Sequence, residues 1–117
     1  MLPEKDRVRL EHMREAVLQA LEFVAGRSRD DLDSDRMLLF ALVRSLEIVG
    51  EAASQVTPES RAACPGIPWK AVVGMRNRLI HAYFEVDRDS VWEVLRDDLG
   101  PLLQVLDTIL SDEPDAS

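Results

Sequence analysis

Apolar residues return along this chain in steps of three and four, the spacing that lines one face of a helix, and no stretch alternates convincingly as a strand would. Leu10, Met13, Val17, Leu21 and Val24 predict a first helix from about Pro3 to Ala25, ended by Gly26. The polar run from Arg27 to Asp33 reads as a loop. A second helix follows from about Ser34 to Gln55. Leu38, Leu39, Phe40, Leu42, Val43, Leu46, Ile48 and Val49 make it apolar on most sides, which marks it as the central helix.

Thr57-Pro58 has the form of a helix start, a hydroxyl cap followed by proline in the first turn, and predicts a short helix. Cys64-Pro65-Gly66-Ile67-Pro68 breaks the pattern. Pro68 then opens a helix expected from Trp69 to about Phe84. Ser90 and Glu93 have capping-box spacing, with Asp87 and Asp89 as alternative caps, and the last helix runs to about Leu110 with a bend at Gly100-Pro101. The expectation is an all-α fold, an antiparallel up-and-down bundle of four main helices plus a short helix. The bundle occupies residues 1–110, and residues 111–117 form a disordered acidic tail.

Composition narrows this picture. With 117 residues and 46% apolar content the chain can build one core, which excludes an intrinsically disordered protein. The opening Met-Leu-Pro-Glu-Lys-Asp has charges where a secretion signal needs an apolar run, and Arg36, Arg44 and Glu47 interrupt the longest candidate membrane span. The single cysteine, Cys64, cannot form an internal disulfide, and two histidines make no zinc pattern. These features predict a cytoplasmic protein that needs no metal or other cofactor.

A net charge of −8 argues at first against a nucleic-acid partner. Its distribution is uneven. From Arg61 to Phe84 there are four basic residues (Arg61, Lys70, Arg76 and Arg78) and no acid, so the other ten share the chain with all 22 acidic residues. A positive island on an acidic body suits contact with a few phosphates.

That island contains the chemistry. Arg76-Asn77-Arg78-Leu79-Ile80-His81-Ala82-Tyr83-Phe84 gathers two guanidinium groups, an amide, an imidazole and a phenol within about two helical turns. On a regular helix Arg76 and Tyr83 share one line, and Asn77 and His81 share the next. Arg76 and His81 would diverge by about 140°, so one regular helix does not aim both at one point. Either the helix loosens near His81 or a second copy of the chain completes the site, and a twofold dimer is the preferred solution.

The segment from Ile67-Pro68-Trp69-Lys70 through Arg76-Asn77-Arg78-Leu79-Ile80-His81-Ala82-Tyr83-Phe84 resembles the HEPN superfamily in its HepT-like toxin branch. The mark of that branch is Arg-x4-His-x-Tyr, here Arg76, His81 and Tyr83. Gly50-Glu51-Ala52, Val86-Asp87, Val91-Trp92 and Asp98-Leu99 add to the likeness, which covers about residues 5–110. Gly100 departs from it, standing between the Asp-Leu pair and a proline that usually follows directly.

The resemblance implies a metal-independent endoribonuclease toxin, a homodimer whose interface cleft is lined by the arginine and histidine of both copies. It also implies a small nucleotidyltransferase as antitoxin, able to silence the toxin by transferring AMP to Tyr83. Within that reading His81 moves the proton and Arg76 stabilises charge on the phosphorane. Asn77 holds the ring or a phosphate oxygen, and Arg78 positions a phosphate. Glu51 is either solvated or, if buried, paired with an arginine for which Arg76 is the candidate. The alternatives are a non-catalytic subunit that binds nucleotide or substrate for a nucleotidyltransferase, and a purely structural helical dimer.

Overall fold

The computed structural model describes residues 2–81 and 85–112. Helix α1 (Glu4–Val24) starts behind Pro3 with Glu4 and Asp6 in its first turn, where acids favour the helix dipole. It buries Leu10, Met13, Ala16, Val17 and Ala20. Gly26 takes the left-handed φ of 74° that ends the rod. The expected polar loop contains a single turn of helix, α2 (Asp31–Ser34), and Asp35 rather than Ser34 caps the next rod, accepting from the Leu38 amide at 3.0 Å. Arg27 bridges Asp31 at 3.3 Å and Asp35 at 2.8 Å, which holds this corner closed.

Helix α3 (Arg36–Ser54) is the central rod and packs on α1 along its length. Its burial is less complete than its composition predicts. Leu39, Leu42, Leu46 and Val49 enter the core, whereas Met37 and Phe40 stand 84% and 57% exposed. Thr57 caps α4 (Pro58–Ala63) as its sequence indicates, accepting from the Ser60 amide. Asp6, buried in α1, accepts from the Thr57 amide at 3.1 Å, the Thr57 hydroxyl at 2.6 Å and the Ser60 hydroxyl. Burial alone would raise its pKa, but the Ser60 and Thr57 hydrogen bonds prevail and hold it below the usual carboxylate range.

The rod expected from Trp69 to Phe84 divides. Helix α5 (Trp69–Val73) meets α6 (Met75–Leu79) at Gly74. Helical hydrogen bonds, Gly74 N to Lys70 O at 3.0 Å and Arg78 N to Gly74 O at 3.3 Å, run through the junction, so the two form one kinked rod. Gly50 lets this rod approach α3: a Cβ there would lie 3.1 Å from the Val72 carbonyl oxygen. Trp69 anchors the start, its indole N–H shared between the carbonyls of Arg61 and Cys64.

The rod stops at Leu79. Ile80–His81 (β1) pairs antiparallel with Glu85–Val86 (β2), Ile80 opposite Val86 and His81 opposite Glu85. The Leu79 carbonyl accepts the Asp87 amide at 2.8 Å, which returns the chain to the end of α6. The sequence pattern carries no strand signal here because each strand is only two residues long.

Asp87 caps α7 (Arg88–Glu93), its side chain accepting from the Ser90 amide at 3.0 Å. Between α7 and α8 (Leu99–Asp112), residues Val94–Asp98 form a π-helical turn, with the Leu99 amide reaching back to the Val94 carbonyl. The irregularity thus precedes Gly100-Pro101. Proline at 101 has no N–H for the carbonyl four residues earlier, and a widened turn relieves its ring. Four rods result (α1, α3, α5–α6 and α7–α8), making an all-α bundle that closes on Leu10, Leu42, Leu46, Leu79, Val91, Leu99 and Leu106, each fully buried. The helix extends to Asp112; the rest of the expected tail lies outside the described residues.

Candidate active site

Arg76 projects from α6, and 63% of its side chain is exposed. Its Nε donates to Glu47 Oε2 at 3.2 Å, and Glu47 is largely covered on α3. Among the described residues no hydrogen bond engages its two outer guanidinium nitrogens. Glu51 sits one turn further along α3, exposed and 3.4 Å from Arg44, as the solvated alternative has it, so the pairing with Arg76 that its burial would require does not arise. Register decides which glutamate Arg76 meets. Gly50 packs against Val72 and Met75, which sets the next residue, Arg76, against the turn containing Glu47.

His81 lies beyond the helix, on β1, with its side chain 55% exposed and Nε2 at 3.3 Å from Asp87 Oδ2. The end of the helix at Leu79 therefore removes the regular helical lines that would separate Arg76 from His81. Each is held by its own carboxylate, and among the described residues no hydrogen bond or ion pair joins them. Asn77 is exposed on α6. Tyr83 lies outside the described residues.

Arg78 points elsewhere. It bridges Glu93 at 3.3 Å and Asp98 at 3.0 Å, tying α6 to α7 and the π turn. Arg61 is spent on the bundle too: it caps the end of α3 through the carbonyls of Ala53, Ser54 and Val56 and stacks 5.7 Å from the Trp69 ring centre. The positive island is therefore largely answered in three dimensions. Its acids come from other elements, so the local charge count overstates the free cations. An apolar cleft of about 520 Å³ between α5–α6 and α8 is lined by Arg78, Met75 and Leu102 but not by Arg76 or His81.

Two residues of this region were not singled out for it by sequence reasoning. Glu47 is one of only two acids in α3, and its place one turn before Gly50 is the available clue. Asp87 is recognisable as a cap, yet its second task depends on a hairpin too short to register. Its carboxyl is held below the usual range by the Ser90 amide, then by the Ser90 hydroxyl, with His81 adding to the effect. Among the described residues no three His, Cys, Asp or Glu side chains group as a metal-ligand set.

Residues 13–109, which include both held side chains, match the family model described as HepT-like, "Ribonuclease HepT-like". The chain belongs to the HepT-like ribonuclease family. A "Putative RNase" of Caldanaerobacter subterraneus subsp. tengcongensis is 38% identical over 104 residues, covering 89% of this chain and 93% of the relative. The "Probable ribonuclease HepT" of Thermococcus cleftensis is 37% identical over 93 residues, 80% of this chain and 84% of that one. A "Putative RNase" of Methanocaldococcus jannaschii is 30% identical over 95 residues, 81% and 87% of the two chains. No solved structure gives a significant match. The HepT-like assignment agrees with the all-α bundle, and no helix among the described residues is long and apolar enough to cross a membrane.

Proposed function

We propose that this HepT-like chain is a metal-independent endoribonuclease toxin that cuts RNA with Arg76 and His81 at a homodimer cleft in the cytoplasm. The observation that carries the reading is their presentation. Both side chains are more than half exposed, and among the described residues each is held by a carboxylate through one nitrogen with no hydrogen bond on its other ring or guanidinium nitrogens. In the reaction the RNA 2′-oxygen attacks the adjacent phosphorus as His81 takes its proton. The new P–O2′ bond forms, the P–O5′ bond breaks, and the proton passes from His81 to the departing 5′-oxygen. Arg76, charged in any setting, meets the extra negative charge on the phosphorane. Asn77, exposed one position on, is available to a phosphate oxygen. The products end in 2′,3′-cyclic phosphate and 5′-hydroxyl.

The dimer draws support from α3. Met37, Phe40, Arg44, Glu47 and Glu51 follow at helical steps of three and four, so two exposed apolar side chains lie on the stripe that supports Arg76. A second copy laid on this stripe would cover both side chains and supply the other wall of the site. Silencing by a nucleotidyltransferase antitoxin rests on the motif alone: Tyr83 follows His81 by two residues, and AMP there would bring bulk and negative charge to the place of the RNA phosphate.

The test is RNA cleavage by purified, unmodified protein in EDTA beside His81→Ala, with the product ends analysed. Cyclic phosphate ends that vanish in the variant are expected. A dimeric wild type that binds nucleotide but cuts nothing would favour the accessory-subunit alternative.

A further inference from the structure

Resting on that nuclease reading, we propose that Asp87 is a positioning residue for His81: it fixes the ring with the proton on Nε2 and leaves Nδ1 as the nitrogen that works on RNA. The geometry is over-determined at the aspartate. Its amide donates to the Leu79 carbonyl at 2.8 Å, so its backbone is pinned to the end of α6. Its Oδ1 accepts the Ser90 amide at 3.0 Å as the cap of α7. With both points fixed, Oδ2 is left at 3.3 Å from His81 Nε2. Of the charges that follow Asp87 in the chain, Arg88 reaches Asp33 at 3.6 Å and Asp89 reaches Arg29 at 2.8 Å. Glu85 stands opposite His81 across the strands with no hydrogen bond to its ring, so among the described residues Asp87 is the carboxylate in contact with it. A carboxylate can only accept, so the hydrogen of the shared contact has to come from the imidazole. The same carboxylate then faces the imidazolium that forms when Nδ1 takes the proton.

Asp87→Asn separates positioning from folding. Asparagine caps a helix as well as aspartate does. With its oxygen on the Ser90 amide, its NH2 group faces His81 and requires Nε2 to accept, which moves the ring proton to Nδ1. That is the minor form of a free imidazole in water, so a switch toward it reports a specific contact. The experiment is nitrogen-15 NMR of the imidazoles in full-length protein, in alkaline buffer where the rings are neutral. Exposed His12, the only other histidine, serves as the internal reference. The expected result is Nε2–H at His81 in the wild type and Nδ1–H in Asp87→Asn, with His12 unchanged. Cleavage should fall about 10²-fold or more in kcat with little change in KM, as a wrong tautomer does in a histidine-dependent site.

Asp87→Ser keeps a cap but is too short to reach the ring, and should return His81 to the tautomer ratio of His12. His81 matching His12 in both the wild type and Asp87→Asn would overturn the proposal. The tautomer is read without RNA. A switch seen in a protein that cuts nothing would uphold the Asp87 contact and count against the nuclease alone.

Discussion

Glu47 on α3 grips the Nε edge of Arg76 on α6 at 3.2 Å, while four-fifths of the glutamate side chain is covered and most of the arginine is open. A covered acid beneath an exposed base restricts the guanidinium to a few orientations. Its free edge then meets a phosphate with less ordering cost than an unsupported arginine. Arg76→Ala is expected to reduce cleavage by roughly 10²–10³. Glu47→Ala should lose about tenfold, mostly in kcat, because the charge survives and only its orientation is freed. Glu47→Gln keeps an acceptor and should recover most of the activity. Steady-state kinetics on one labelled RNA decide this, and a Glu47→Ala loss equal to that of Arg76→Ala would show that Glu47 has a larger part than support.

Arg78, two residues after Arg76, is engaged on the other side, against the last rod. Its bridges to Glu93 and Asp98 fasten α6 to the π turn of the last rod. Such half-exposed pairs contribute about 1 kcal/mol or less. Arg78→Ala is therefore expected to lower the melting temperature by a few degrees and to cut RNA within about tenfold of wild type. Thermal melts and kinetics on the same preparations separate the two effects. A loss as deep as that of Arg76→Ala, with no change in melting, would return Arg78 to a role on phosphate.

Gly50 sets the distance between α3 and the rod that carries Arg76. A methyl group there would stand 3.1 Å from the Val72 carbonyl oxygen, a backbone atom that moves only if α5 moves. Gly50→Ala should destabilise by about 1–3 kcal/mol. Gly100, whose added Cβ would find nothing within 4 Å, should tolerate alanine within about 0.5 kcal/mol. Denaturant melts of the two variants give the comparison directly.

Asp6 predicts how the protein meets acid. Its folded-state pKa lies below the ordinary value, because Ser60 and Thr57 overcome the burial that would raise it. Unfolded, it titrates near its usual value of roughly 3.9. The stability it contributes is therefore complete above that pH and is lost as pH falls through the lower folded value. Asp6→Ala, which leaves the Thr57 and Ser60 donors without their acceptor, should lower stability at neutral pH by about 1–3 kcal/mol. Its melting temperature should also fall less steeply than that of wild type below about pH 4. Parallel acid slopes in the two proteins would rule this out.

The four rods could be read from the sequence because each is written in a local code. Periodic apolar positions give the faces, Asp87 is among the caps the spacing offers, and Gly26 gives a stop. Arg76 and His81 are singled out within a resemblance that spans most of the chain, and the structure presents both exposed. Their supports are not singled out. Glu47 reaches Arg76 across 29 residues, and its choice over Glu51 depends on how closely α3 and α5 approach at Gly50. The stop at Leu79 is also non-local, since Asp87 supplies the amide that draws the chain back. The charge island misled for a related reason. A count along the chain cannot see that Arg78 is answered from α7, or that Arg61 is turned onto the carbonyls of α3.

The dimer is the remaining step between these residues and a working cleft. If α3 meets its copy along the stripe holding Met37 and Phe40, a charge placed at Phe40 has to enter the interface unpaired. Phe40 is more than half exposed in the single chain, so Phe40→Asp should cost the single chain only about 1–2 kcal/mol and leave it folded. In the dimer the same carboxylate would be desolvated without a partner, a cost of several kcal/mol that separates the copies. Light scattering should therefore show a folded monomer, melting lower than wild type because the partner copy no longer stabilises it, and cleavage should vanish although Arg76, His81 and Asp87 are all intact. A Phe40→Asp protein that stays dimeric and cuts at the wild-type rate would move the interface away from this face of α3.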